Sequence, residues 1–312
     1  MIENSLPVIQ KLDEINRVHG AKDISTYDFS TLYTKLPHTD LIRVLESLIE
    51  FVFDGKNFRS DKKKRYLTIT DHKTYWANKK KSNNYTKGDI KLIVSHLVKG
   101  CYFQFGNLVF LQMIGIPMGI DPAPFWANLY LYYYENKFIL DMIKSNPWKA
   151  RKFRYASRFI DDEGNLNDGG EFGRSYQAIY PAELELKCEH QGSRATLLEM
   201  EIQIEDGLFV YKLFDKRDNF PFEIVRMPNL SGNIPEHIFY GSFMAEILRI
   251  GRATLRYDDF KPRVKQIFLR MCNQGGSSKK LLKQITKVIT TYPETFLKFG
   301  KTDQEIVSDI CN

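Results

Sequence analysis

Apolar residues recur along this chain with two different periods, and the places where the period changes mark its elements. Residues Ile2–Gly20 read as a polar helix and Ala21–Phe29 as a strand carrying Ile24, Thr26 and Tyr27. From about His38 the spacing turns helical, with Leu41, Val44, Leu45, Leu48 and Ile49 on one face. Lys87–Lys99 reads as a second amphipathic helix, and Cys101–Phe105 with Leu108–Met113 as a hairpin turning at Gly106-Asn107. After the loop Gly115–Gly119, Asp121 is expected as an N-cap with Pro122 at the first position of a long buried helix through Phe125, Ala127, Leu129 and Leu131.

A strand over Arg154–Ile160 then runs into Asp161-Asp162, is predicted to turn at Gly164, and returns through Asn165–Asn167. Glu171–Tyr180 reads as a helix. Leu184–Cys188, Leu197–Ile204 and Leu208–Phe214 read as strands, the last two joined at Asp206-Gly207. From Pro235 the pattern is helical, with Phe239, Phe243, Ile247 and Ile250 as an apolar stripe and Arg249, Arg252 and Arg256 on another face. Two more helices are expected near Lys261–Cys272 and Ser278–Thr290. The order predicts an α+β unit over residues 1–230, with a basic insertion at about 55–87, followed by a helical domain over 231–312.

Composition narrows the class. With 43% hydrophobic and 27% charged residues, the 312-residue chain is an ordered globular protein. Its cysteines, Cys101, Cys188, Cys272 and Cys311, show no zinc or disulfide spacing, so a reducing intracellular compartment is expected. The apolar runs are too short and interrupted to span a bilayer, and no signal-peptide pattern opens the chain.

Charge adds a partner. The net charge is +7, but residues 55–87 hold eleven Lys or Arg against two acids and residues 249–300 hold twelve against three, a local +9 in each. The rest of the chain sums to −11. Two basic arms around an acidic middle suit a polyanion gripped about a cation-rich centre. In the first arm Phe58, Tyr66, Tyr75, Trp76 and Tyr85 interleave with the lysines and would stack on bases or pack the insertion.

The acidic middle holds the candidate chemistry. Asp, Gly and Asn are ordinary hairpin residues, so Asp161-Asp162 alone indicates a turn. A second acid in a matching place changes that: Asp28 ends the first predicted strand, and neighbouring antiparallel strands would bring it to the hairpin. Converging carboxylates raise one another's pKa. Two Mg²⁺ ions, or Mn²⁺, would offset that cost and form a two-metal site for phosphoryl transfer from a nucleoside triphosphate.

Three segments then carry a family resemblance. Tyr27-Asp28-Phe29-Ser30-Thr31-Leu32-Tyr33, Gly115-Ile116-Pro117-Met118-Gly119 through Asn128, and Phe159-Ile160-Asp161-Asp162 resemble motifs A, B and C of reverse transcriptases, with Penelope-like retroelements the nearest in wording. Tyr180–Glu185, Leu213–Asp218 and Ser231–Pro235 resemble segments that follow motif C there. The resemblance implies a right-hand palm, an antiparallel sheet with helices on one face, followed by a helical thumb. Only 27 residues precede Asp28, so the fingers are expected to be largely missing, or supplied by a separate or upstream segment.

The same resemblance implies roles. Asp28, Asp161 and Asp162 would be the catalytic metal ligands. The main chain of Phe29, Ser30, Thr31 and Leu32 would meet the triphosphate, and Tyr33 would gate against a ribose 2′-hydroxyl, so the substrate would be a dNTP. Met118 and Gly119 would pass beneath the nucleotide, and Lys187 would protonate pyrophosphate or simply be solvated. Arg249, Arg252 and Arg256 would track an RNA or DNA template with its primer. The nucleus is the expected compartment. Two alternatives stay open: a non-catalytic nucleic-acid-binding remnant, and an RNA-templated RNA polymerase, which the aromatic gate disfavours.

Overall fold

The computed structural model describes residues 1–54, 66–222, 224–225 and 227–311. In chain order, helix α1 (Leu6–Val18) leads to strand β1 (Ile24–Phe29), the one-turn helix α2 (Leu32–Lys35) and helix α3 (His38–Asp54). Strands β2 (Tyr66–Ile69), β3 (Thr74–Ala77) and β4 (Asn84–Tyr85) precede helix α4 (Lys87–Lys99), strands β5 (Tyr102–Phe105) and β6 (Leu108–Leu111), helix α5 (Ala123–Ser145) and the short α6 (Pro147–Ala150). Strands β7 (Ser157–Phe159) and β8 (Asp162–Leu166) come before helix α7 (Glu171–Ile179). Next come β9 (Leu186–Gly192), β10 (Arg194–Leu197), β11 (Met200–Glu205) and β12 (Leu208–Leu213). The remainder is helical: α8 (Glu236–Arg252), α9 (Tyr257–Asn273), α10 (Ser278–Thr291), α11 (Pro293–Phe296) and α12 (Asp303–Cys311). Of the basic insertion, residues 55–65 with Phe58 lie outside the described residues.

The chain divides into two compact units: Met1, Tyr27–Arg154 and Gly170–Lys187 form the first, and Ile2–Thr26, Tyr155–Gly169 and Cys188–Asn312 the second. Strands β1 and β9 each run from one unit into the other.

In the first unit α3 packs on α4 and α5. The stripe on α3 is buried as expected at Leu41, Val44 and Leu45, and α4 starts on a capping box between Thr86 and Asp89. Asp40 fastens the helices together, accepting from the Tyr130 and Tyr134 hydroxyls at 2.7 and 2.5 Å while pairing with Arg43 at 2.6 Å. The β5–β6 hairpin turns at Gly106-Asn107 with Phe105 opposite Leu108, as the sequence predicts.

Helix α5 differs from expectation. It starts at Ala123 with Pro122 as an N-cap that makes no side-chain bond. Asp121 lies outside the helix because the Ala123 N–H is already bonded to the Ile120 carbonyl at 3.1 Å. Its buried stripe is Ala123, Trp126, Ala127, Tyr130 and Leu131, whereas Phe125 is 60% exposed. The apolar residues on both sides of this helix mask its period: of the expected positions Ala127 and Leu131 are buried, while Phe125 and Leu129 lie off the inner face.

In the second unit lie β7, β8 and the Ile24–Thr26 and Cys188–Gly192 parts of β1 and β9, strands of the sheet ordered β7-β8-β1-β9, and a separate three-stranded sheet β10-β11-β12. The Asn167 N–H donates to the Asp23 carbonyl at 2.9 Å, so the start of β1 meets the end of β8 and the two run antiparallel. Val8, Leu12 and Ile15 of α1 bury against Ile24, Leu166, Leu197, Met200, Ile202 and Phe209.

Two expected strands are corrected here. The expected strand Arg154–Ile160 shortens to β7, and the turn falls at Ile160-Asp161, with Phe159 opposite Asp162. Gly164 is a β8 residue paired with Ser157. What requires glycine there is close packing, since a Cβ would stand 2.4 Å from Leu197 Cδ2. The expected strand Leu197–Ile204 is broken after Leu197, because Leu198 takes a left-handed φ of 56° and opens a hairpin to Met200.

The C-terminal helices bury a core of their own, including Phe239, Phe243, Ile247, Phe260, Ile267, Ile285 and Phe296. α12 adds Ile306 and Ile310 to it, a helix the sequence pattern did not predict. Among the described residues no helix is long and apolar enough to cross a membrane.

Candidate active site

The acidic hairpin of the second unit is a two-residue connection. Ile160 adopts a left-handed φ of 53°, a region that a β-branched residue enters at a cost of roughly 1–2 kcal/mol. Such strain persists only where the surroundings over-determine it, and functional sites are where it gathers. Asp161 follows in the turn and Asp162 opens β8, both half-buried. Two adjacent carboxylates are thus carried on a tip whose backbone is held in an unfavourable conformation.

Sequence reasoning did not identify what holds it. Arg158 is only 2% exposed, and its Nη1 donates to the Ile160 carbonyl at 2.9 Å. Across the ladder it faces Glu163, which is 4% exposed. Lys11 of α1 reaches the Ala156 carbonyl at 2.5 Å and Ser157 Oγ at 2.7 Å. Burial lowers the Lys11 pKa, with Glu163 and Glu14 pulling the other way. The main chain at Ile2 also bonds the Arg158 carbonyl at 2.8 Å. The one available signal was a charged residue, Arg158, sandwiched between strand positions predicted to be buried.

In the first unit Asp28 is half-buried near the end of β1, and Phe29 is buried with its ring edge-on to Tyr180 at 4.8 Å. Ser30 is exposed, Leu32 is buried, and the Thr31 hydroxyl accepts from the Glu185 N–H at 3.2 Å. Half-buried Tyr33 sits on α2. Its carbonyl accepts from the Ile116 N–H at 2.8 Å, the Gly115 N–H donates to the Leu36 carbonyl at 2.8 Å, and His38 Nε2 bonds the Gly115 carbonyl at 2.6 Å. The segment after Asp28 and the glycine loop are therefore laced together. Gly115 has a φ of 76°, and a Cβ there would meet the Tyr33 carbonyl at 2.5 Å, so backbone contact demands this glycine. Gly119 has open space around it and Met118 is 70% exposed.

The three expected nucleic-acid-tracking arginines differ in setting. Arg249 is tied inside the second unit, 2.6 Å from Glu246 and 3.3 Å from Glu199. Arg256 pairs with Glu205 at 2.6 Å, and exposed Arg252 lies over the Tyr292 ring at 5.9 Å. Lys187 is an exposed strand residue.

Among the described residues no group of three or more His, Cys, Asp or Glu is arranged to hold a metal ion. The donors present are nonetheless of the type Mg²⁺ takes: hard carboxylate oxygens with no thiol or imidazole at the tip, one or two being enough when water and phosphates complete the shell.

No protein-family model matches the sequence, and no curated protein matches it. Among solved structures, the chain is similar to telomerase from Candida albicans in complex with the TWJ fragment of telomeric RNA, with a TM-score of 0.56 at 11% identity over 97% of this chain and 50% of that one. Telomerase from Candida tropicalis in complex with the same fragment gives a TM-score of 0.42 at 12% identity over 98% and 51%, too low to bear on the fold. The chain spans about half the length of the telomerase chain it matches. At this identity the likeness gives the fold alone, a fold like that of the telomerase chain it matches.

Proposed function

We propose that this chain is an RNA-directed DNA polymerase domain that adds deoxynucleotides to a primer 3′-hydroxyl. The observation that carries the reading is the β7–β8 tip, where two adjacent carboxylates follow a left-handed Ile160. Asp161 and Asp162 would hold Mg²⁺ or Mn²⁺. Asp28 would join them on the strength of its motif alone. Bound metal would supply Lewis-acid activation of the primer hydroxyl and neutralise charge on the leaving pyrophosphate.

The chain's own residues do the rest. The main chain of Phe29 to Leu32 receives the triphosphate, and the Tyr33 ring excludes a 2′-hydroxyl. The open space at Gly119, beside exposed Met118, accommodates the nucleotide. Arg252, the arginine of its row that lies exposed over a ring, contacts the primer-template backbone. The motif wording points to a Penelope-like retroelement, a palm and thumb architecture, and a nuclear setting. A second reading is a nucleic-acid-binding remnant without turnover, which the two basic arms of the chain would serve equally well.

Primer extension on an RNA template with dNTPs and Mg²⁺ or Mn²⁺ tests the proposal. Extension by the wild type that disappears in Asp161→Asn is expected. Tyr33→Ala is expected to admit ribonucleotides, and unchanged sugar selectivity would sink the gate. Primer-template binding with no extension in any form of the chain would favour the remnant.

A further inference from the structure

A buried guanidinium has to earn its place, because its desolvation is offset only by charged and hydrogen-bonding partners. Arg158 is among the largest fully buried side chains of the molecule, and it sits on the strand that feeds the acidic tip. Its Nη1 spans the turn to bond the carbonyl of Ile160, the residue forced to a left-handed φ. That carbonyl belongs to the peptide joining Ile160 to Asp161, so fixing it fixes the orientation of the peptide from which the first acid projects. Glu163, opposite Arg158 in the ladder, and Lys11, bonded to the Ala156 carbonyl and Ser157 Oγ, close the arrangement from the side of α1.

We propose that Arg158 is a positioning residue: by holding the Ile160 carbonyl it keeps the turn left-handed and aims the carboxylates of Asp161 and Asp162. The metal-holding part of this inference rests on the polymerase reading; the turn-holding part stands by itself. Arg158 touches neither substrate nor metal in this scheme. Its effect passes through one peptide group.

The backbone supplies the test. Glycine enters the left-handed region at no steric cost, so Ile160→Gly removes the need for a brace while leaving both acids in the sequence. Four proteins are compared: wild type, Arg158→Met, Ile160→Gly and the double variant, with Arg158→Lys as the conservative control. Readouts are amide hydrogen exchange at residues 160–163, Mn²⁺ affinity by titration, and primer extension.

Arg158→Met is expected to speed exchange at the turn and to weaken Mn²⁺ binding. It should lower extension about a hundredfold, the cost of an ångström-scale misplacement of a reacting group. Adding Ile160→Gly should restore Mn²⁺ binding and most of the extension. Arg158→Lys should fall between wild type and Arg158→Met.

If Arg158 merely fills the core, glycine at 160 will rescue nothing, and that result overturns the proposal. Unchanged exchange at the turn in Arg158→Met overturns it as well. Rescue of exchange and Mn²⁺ binding in a chain whose wild type shows no extension would sustain the brace and sink the polymerase reading.

Discussion

Two hairpins of the second unit make the same two-residue connection out of opposite chemistry. β11 and β12 close through Asp206 and Gly207, at φ of 50° and 73°, the pair of left-handed residues that matches strand twist. β7 and β8 close through Ile160 and Asp161, with a β-branched residue at φ 53°. The first turn is built of residues that suit its backbone, and its outside contact is a main-chain bond, the Ala21 N–H donating to the Gly207 carbonyl at 2.7 Å. The second contradicts local preference by roughly 1–2 kcal/mol and is held from outside by Arg158. A third hairpin resembles the second: Leu198 is left-handed at 56°, and the adjacent Glu199 accepts from Ser5 Oγ at 2.9 Å and from Arg249 at 3.3 Å. Where the turn residues suit the left-handed backbone, no side chain is drawn in to hold it. Where they oppose it, as at Ile160 and Leu198, side chains from neighbouring positions bond the turn.

The largest effect that sharpens this contrast comes from making one chemical change at both tips. Asp161→Asn is expected to reduce primer extension about a thousandfold or more, roughly 4 kcal/mol of transition-state stabilisation. Asp206→Asn, an equally small change at an equally tight turn, should leave extension within about twofold, since Asn also tolerates the left-handed region. Equal losses in the two variants would mean that the hairpins share a structural role and that the acidic tip has no special chemistry.

The two glycines separate packing from turn geometry. Gly164→Ala sets a Cβ 2.4 Å from Leu197 Cδ2, and overpacking of this kind costs about 1–3 kcal/mol. Gly207→Ala meets nothing within 4 Å but keeps a φ of 73°, so its cost is backbone strain of about 1 kcal/mol. Urea unfolding of both variants measures the difference. A second change, Leu197→Ala, should relieve Gly164→Ala and leave Gly207→Ala unaffected. Absence of that relief would return Gly164 to the role of a turn residue.

These contrasts also explain what the sequence made legible. The Asp206-Gly207 and Gly106-Asn107 turns, the α3 stripe and the bounds of α4 are all found where pattern and turn chemistry place them, because local preference and final structure agree there. The Ile160 turn and the break at Leu198 were missed for the opposite reason. Both residues disfavour the left-handed region, so nothing local marks a turn there. Helix α5 was located, but only Ala127 and Leu131 of its expected inner face are buried, because apolar residues on its outer side hide a 3.6-residue stripe. At the candidate site the acids were legible as a motif, while Arg158, Lys11 and His38 were not. Their function lies in bonds to backbone carbonyls, which leave no pattern in composition or spacing.

The smallest effect tests the backbone account most directly. If Ile160 is strained, Ile160→Gly releases that strain, while glycine's greater freedom in the unfolded chain takes back part of the gain. The net change should be a stabilisation of about 1 kcal/mol or less. Asp206→Gly starts from a residue already suited to its turn, so it should be neutral or slightly destabilising, by a few tenths of a kcal/mol at about the limit of measurement. Opposite signs at two geometrically similar positions would show that residue 160 is chosen against its own turn. Destabilisation of Ile160→Gly by more than about 1 kcal/mol would mean that side-chain packing governs that position, because loss of a partly buried Ile then outweighs any strain relieved.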